Sequence, residues 1–270
     1  FEGFRTSHEI ENIEIIDDLT SFVPFEEIEK FKQMALNPNN PVCKGTNQNP
    51  DVFFQNREKC SIYYKNVASD LKMAMDKFYS LTKRRYNLFD YVGSQNAEYV
   101  IIAMGSGAES IEEYILKNNI KNIGVIKVRL FRPFDISSFV DCLPKSVKKI
   151  CVLDRVKDAS ANLDPLASEV VSALFESGKN ISVICGRYGL GGKDFTIGMI
   201  KSVCDNLLSD KSKNHFCIGI NDDVLNSSLE FDEIKENEHY SALFYGLGSD
   251  GTVSANKNSI KIIGDNKNVN

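Results

Sequence analysis

No apolar run in this sequence approaches the roughly 18–20 residues that a membrane-spanning helix needs. Residues 1–11 mix charge and polarity where a secretory signal needs an apolar stretch, so neither a span nor a signal peptide is expected. Positive charge is in short supply: 32 Lys and Arg stand against 37 Asp and Glu, a net charge of −5 with a pI near 5.4. Phosphate backbones are held by clustered cations, so nucleic acid is not an expected partner. Clustered thiols are missing too. The seven cysteines (Cys43, Cys60, Cys142, Cys151, Cys185, Cys204 and Cys217) are odd in number and form no Cys-x-x-Cys pair. Structural zinc and iron–sulfur clusters need such clusters, so the thiols read as reduced packing residues in a cytosol-like compartment. Of the three histidines, His8, His215 and His239, no two stand at i, i+3 or i+4. No metal site is expected, and nothing in the sequence supports a Ser/His/Asp or Cys/His site.

What is present is a chain of 270 residues, 42% hydrophobic, enough for one or two domains. It opens without an initiator Met and reads as an internal piece of a larger α/β enzyme. Three regions differ in pattern. Residues 1–86 are mostly helical, with a short amphipathic helix over 24–36 and a longer pattern from Asn49-Pro50-Asp51 to Leu81. Lys83-Arg84-Arg85 ends it and suits the negative pole of a helix; a basic interaction patch is the alternative. Little independent core is visible here, and the region reads as the tail of a domain.

Residues 87–230 alternate strands and helices. Strands are expected at 99–104, 123–131, 149–154, 181–185 and 215–220, with helices at 110–118, 136–142, 164–177 and 196–208. Continuous apolar strands between amphipathic helices indicate an α/β doubly wound, mostly parallel sheet covered on both faces. An acidic stretch, 230–238, reads as a linker into the third region, 231–270, which continues as a strand at 241–245, a glycine loop and a helix at 252–262. That is one strand–loop–helix unit, the start of a further domain.

The glycine loop is Gly246-Leu247-Gly248-Ser249-Asp250-Gly251. Glycines at this spacing between a strand and a helix permit a tight turn and close backbone approach, and the helix start offers unpaired N–H groups to an anion. Ser249 and Thr252 add hydroxyls. A phosphate cradle and a purely structural turn both fit. Gly186-Arg187-Tyr188-Gly189-Leu190-Gly191-Gly192-Lys193-Asp194 imitates a P-loop and fails: Arg187 stands where the first Gly belongs, and Asp194 replaces the Ser/Thr that holds magnesium. It reads as a rigid turn whose Arg187 and Lys193 meet a neighbouring domain or a phosphate. Gly105-Ser106-Gly107-Ala108-Glu109-Ser110 reads as structural, since Glu109 repels an anion, and Asp154-Arg155 as a surface or interface ion pair.

Taken in order, several stretches resemble one family. They are Gly3-Phe4-Arg5-Thr6-Ser7-His8-Glu9, the run from Asn49-Pro50-Asp51 to Tyr64, and Phe89-Asp90-Tyr91-Val92-Gly93. Val128-Arg129-Leu130-Phe131-Arg132-Pro133-Phe134, Val152-Leu153-Asp154-Arg155 and the 186–194 turn follow. Asn214-His215-Phe216-Cys217-Ile218-Gly219-Ile220-Asn221-Asp222-Asp223 and the loop with its helix, through Asn266, complete the set. Together they resemble pyruvate:ferredoxin (flavodoxin) oxidoreductase, including its fused pyruvate:NADP oxidoreductase form, along nearly the whole chain. Cys185 and Gly192 depart from the family's usual Gly and Ser, and Lys267-Asn268-Val269-Asn270 drifts from its continuation.

The resemblance implies oxidative decarboxylation of pyruvate to acetyl-CoA on thiamine diphosphate, with magnesium, iron–sulfur clusters elsewhere in the parent chain, and ferredoxin, flavodoxin or a fused reductase as acceptor. It implies a homodimeric parent enzyme that is cytoplasmic or, in an anaerobic eukaryote, organellar. The middle region is then similar to a transketolase C-terminal domain. Gly248, Ser249, Asp250, Gly251 and Thr252 match the family's coenzyme A phosphate site. The thiamine-contacting and cluster-binding residues fall outside this chain, so the segment alone is expected to be inactive. The alternative is a free-standing module that binds a phosphate-bearing ligand or assembles with a partner.

Overall fold

The computed structural model describes residues 15–16, 20, 22–43, 45, 47–221, 224–234 and 243–264. The motif at 3–9, Asp222 and Asp223, the start of the expected strand at Ser241 and Ala242, and the end of the loop-helix motif at Asp265 and Asn266 lie outside these residues.

Three helices lead into the sheet. α1 (Phe25–Gln33) follows Pro24, and α2 (Pro50–Lys65) starts where the Asn49 side chain accepts the Val52 N–H at 3.1 Å. Pro50 occupies the first turn, where its missing N–H costs nothing. The sequence pattern runs on as one helix; the structure divides it at Asn66, and α3 (Val67–Thr82) continues beyond. Neither α1 nor α2 buries a residue, and Phe31, Phe54 and Tyr63 are exposed. α3 packs Val67, Ala68, Leu71 and Met75 against the sheet. After α3 the basic trio folds back. Lys83 Nζ donates to the Ser80 carbonyl at 3.0 Å, and Arg85 lies over the Tyr79 ring and pairs with Asp76 at 3.1 Å. Arg84 lies over the Phe78 ring at 5.6 Å, so all three cations fold back on the end of their own helix.

The sheet has seven strands: β1 (Phe89–Val92), β2 (Tyr99–Ala103), β3 (Ile123–Val128), β4 (Lys149–Asp154), β5 (Ser182–Arg187), β6 (Phe216–Ile218) and β7 (Ser228–Leu229). Their order across the sheet is β1-β3-β2-β4-β5-β6-β7, and only β1 runs antiparallel to its neighbour. The crossovers are α4 (Ser106–Lys117), α5 (Ile136–Cys142), α6 (Pro165–Glu176) and α7 (Ile197–Leu208).

Strand alternation sorts the core into two layers. Ile101, Ala103, Cys151 and Leu153 face α4 and α7, while Val100, Ile102, Ile150 and Val152 face α5 and α6. Burying both faces removes each of these Ile and Val side chains from water, worth about 1.5–3 kcal/mol apiece. The chain leaves β2 for β3 on one side and then crosses to β4 on the other. β2 and β4 therefore flank the topological switch point, the usual ligand crevice of a doubly wound sheet.

Two expectations for the end of the chain are corrected. The acidic stretch is not a free linker from Glu230: Ser228 and Leu229 pair with Cys217 and Ile218, and Phe231 packs on the core. The described part of the expected strand, 243–245, pairs with no strand among the described residues. α8 (Thr252–Gly264) follows the glycine loop as expected.

Candidate functional site

The switch point is closed from within. Tyr188 follows β5, stacks against Phe195 with ring centroids 4.5 Å apart, and is buried. Its hydroxyl lies 3.4 Å from the Met104 carbonyl, and a Cβ placed on Gly107 would meet it at 2.2 Å. The turn at 105–107 is thus shaped to receive a phenol, which agrees with its reading as structural.

The neighbouring strand ends are also occupied. Asp154, 2% exposed, does not form the surface ion pair expected of it. Its two carboxylate oxygens accept the Leu166 and Ala167 N–H groups at 2.9 and 3.0 Å and so cap α6 from a distance. Burial holds its pKa above the ordinary carboxylate value despite those two donors. Arg155 Nε donates to the Gly189 carbonyl at 3.0 Å. Arg187 is not extended toward a phosphate: it pairs with Asp164, whose side chain is 4% exposed. The P-loop imitation is a short 3-10 turn, Leu190–Gly192, and Lys193 beside it is exposed. The Cys185 thiol, next to these carboxylates, is pushed up to about 11 by burial first and by the charges of Asp154 and Asp164 second, which disfavours the thiolate. No cluster of three His, Cys, Asp or Glu able to hold a metal occurs among the described residues.

The glycine loop is different in kind. Residues 243–251 are all exposed, Leu247 completely so. Gly248, Ser249 and Gly251 have φ of 80°, 53° and 86°, in the left-handed region that favours glycine. The Asp250 carboxylate accepts the Leu247 N–H at 2.8 Å and the Thr252 N–H at 3.0 Å. A Cβ on Gly246 would stand 2.5 Å from Thr252 Oγ1, so this closed form requires glycine there. Thr252 amide and hydroxyl, followed by the Leu247 amide, draw the Asp250 pKa down from 3.8 to about 2. The loop's donors therefore converge on an oxyanion, which here is the chain's own. The Gly251 carbonyl accepts the Ala255 N–H at 3.0 Å, the first turn of α8. All five expected residues, Gly248 to Thr252, thus lie in one loop at one helix start. The role of Asp250 as internal anion was not part of the sequence reading; an Asp two residues before Thr252, in a position to accept its amide, is the signal for it.

Comparison with known proteins bears on the whole chain. The family model for pyruvate:ferredoxin oxidoreductase core domain II matches residues 97–200. The model for the thiamine diphosphate-binding part of pyruvate flavodoxin/ferredoxin oxidoreductase matches residues 1–76. Pyruvate:ferredoxin oxidoreductase of Moorella thermoacetica is 49% identical over 98% of this chain. The chain belongs to the pyruvate:ferredoxin/flavodoxin oxidoreductase family. Within this family, pyruvate-flavodoxin oxidoreductase of Trichormus variabilis is also 49% identical, over 99% of the chain. Pyruvate dehydrogenase (NADP+) of Cryptosporidium parvum is 43% identical over 98%. The chain spans 23% of the length of the first two relatives and 14% of the third.

Proposed function

We propose that this chain is a stretch of an oxidoreductase that converts pyruvate and coenzyme A into acetyl-CoA, carbon dioxide, a proton and two electrons. The observation that carries this reading is the 49% identity to a pyruvate:ferredoxin oxidoreductase along 98% of the chain. In this reading residues 1–86 complete a thiamine diphosphate domain, and residues 87–230, with the docked extension to 234, form a scaffold domain. Residues 231–270 begin the domain that contacts coenzyme A. Thiamine diphosphate, magnesium and the iron–sulfur clusters are held by other parts of the parent chain, which works as a homodimer in the cytoplasm or an organelle and delivers electrons to ferredoxin, flavodoxin or a fused reductase. Among the described residues, no helix is long and apolar enough to cross a membrane.

The part assigned to this chain is binding. The amides of Gly248, Ser249 and Gly251, with the Ser249 and Thr252 hydroxyls, would hold a coenzyme A phosphate at the start of α8. The Leu247 and Thr252 amides already gather on the Asp250 carboxylate, which supports a loop fold able to present N–H donors to an anion at a helix start. The exposure of the whole loop supports a half-site to which other domains add contacts. Residues 1–270 alone, given pyruvate, coenzyme A and thiamine diphosphate, should not turn over. Calorimetry should give no coenzyme A affinity tighter than micromolar. Turnover at a rate comparable to the full-length protein contradicts the assignment of chemistry to other segments, and tight binding favours an autonomous phosphate-ligand module.

A further inference from the structure

Of the three helices that lead into the sheet, α1 and α2 bury no residue. α2 carries Phe53, Phe54, Tyr63 and Tyr64, each between 55% and 76% exposed. Along it Val52, Phe53, Cys60, Tyr63 and Tyr64 share one stripe at helical spacing, while Phe54 and Ile62 lie off that stripe. A fully enclosed aromatic side chain buries about 150–250 Å², so these four rings offer a partner roughly 500 Å². That much exposed apolar surface on one helix marks a place of contact. α3 differs. From Val67 on, Val67, Ala68, Leu71 and Met75 pack on the sheet, and Lys72 Nζ donates to Ser138 Oγ of α5 at 2.8 Å. The division between chain that packs on the sheet and chain that does not falls at Asn66.

We infer that the exposed face of α2, with α1, is where the rest of the parent chain's thiamine diphosphate-binding domain packs, and that α3 is the bracket fixing that domain to the sheet. The inference rests on the reading of this chain as a stretch of a pyruvate oxidoreductase. The extent of the family match selects this occupant. The model for the thiamine diphosphate-binding part covers residues 1–76, which takes in α1, α2 and the first part of α3, whereas residues 97–200 match a different unit. The rest of that domain is therefore the stretch of parent chain ahead of these helices. The two 49% identical relatives have room for it, since the chain spans only 23% of their length. A second copy laid along the stripe would leave Phe54 and Ile62 in water; a domain core that surrounds the helix covers both. The match crosses Asn66 into a helix that packs on the sheet, which is what a bracket between two domains requires.

The test uses the full-length protein with the photo-crosslinking residue p-benzoylphenylalanine in place of Phe54, irradiated as a mixture of light and heavy-isotope copies. Cross-links should join this position to peptides of the same copy from the chain ahead of these helices. Links to the other copy, to the sheet, or to the chain beyond the sheet overturn the inference. A second variant, Phe53→Asp, puts a charge into the stripe. Hydrogen exchange across residues 50–65 should quicken about tenfold or more, and retention of thiamine diphosphate should fall, while residues 67–82 and 149–154 keep their rates. If residues 67–82 quicken as much as 50–65, the division at Asn66 is wrong and the bracket falls. If position 54 links to nothing and Phe53→Asp leaves exchange unchanged, α2 is a free surface and the inference is overturned. A full-length protein that holds no thiamine diphosphate fails the reading itself, which takes the inference with it.

Discussion

The hydroxyl of Tyr188 occupies the space beside Gly107, where an added Cβ would meet it at 2.2 Å. This one contact closes the crevice at which a doubly wound sheet ordinarily takes its ligand. Gly107→Ala should therefore destabilise the sheet domain by about 1–3 kcal/mol through overpacking. In a Tyr188→Ala background, itself costly, the same substitution should cost much less, because the partner has gone. Denaturant unfolding of the four proteins of this cycle measures the coupling; additive losses would show that the two residues do not compete for space.

Asp154 acts as a cap for α6 and not as a catalytic group. Asp154→Ala leaves the Leu166 and Ala167 amides without their acceptor and should cost about 1–3 kcal/mol. Asp154→Asn keeps one acceptor oxygen and should cost less. Thermal denaturation separates the two, and equal losses would argue against the capping role.

Asp250 should titrate abnormally. Its folded pKa of about 2 lies below the ordinary 3.8, so its hold on the Leu247 and Thr252 amides is complete above about pH 4 and is lost as pH falls through about 2. Carbon-detected NMR titration of the carboxyl reads this directly; a midpoint near 3.8 would mean that the closed loop does not form.

The buried thiols lean the other way. Burial pushes Cys204 up to about 12 and Cys185 up to about 11, both from 9.0. Because the folded pKa values are raised, the neutral thiols favour the fold fully below about pH 9, and that contribution is lost as pH rises from 9 through 11–12. At pH 8 an alkylating reagent should modify the exposed Cys43 and leave Cys151, Cys185 and Cys204 untouched while the protein stays folded. Mass spectrometry of the labelled peptides checks this; rapid labelling of Cys185 would contradict its burial.

The central sheet was legible in the sequence because its physics is local. A run such as Tyr99-Val100-Ile101-Ile102-Ala103, buried on both faces, has few alternatives to a parallel strand. β1 was not legible: Asp90 interrupts its apolar pattern and becomes tolerable only through Arg129, which pairs with it at 2.7 Å from the end of β3. β7 has two residues, too few for any period, and owes its place to pairing with β6. The division at Asn66 carries no Gly or Pro to announce it. In the loop, the positions of Gly248, Ser249, Gly251 and Thr252 followed from spacing. That Asp250 turns inward and takes the Leu247 and Thr252 amides depends on a three-dimensional closure that spacing does not encode.

The coenzyme A assignment is tested most directly by steady-state kinetics of Gly251→Val in the full-length protein. At φ 86° a β-branched side chain is strained, and the loop's amides should lose their convergence. The account predicts a rise of about tenfold or more in the KM for coenzyme A, the loss of at least one charge-assisted hydrogen bond, with the KM for pyruvate unchanged. An unaltered coenzyme A KM in a folded variant would contradict it.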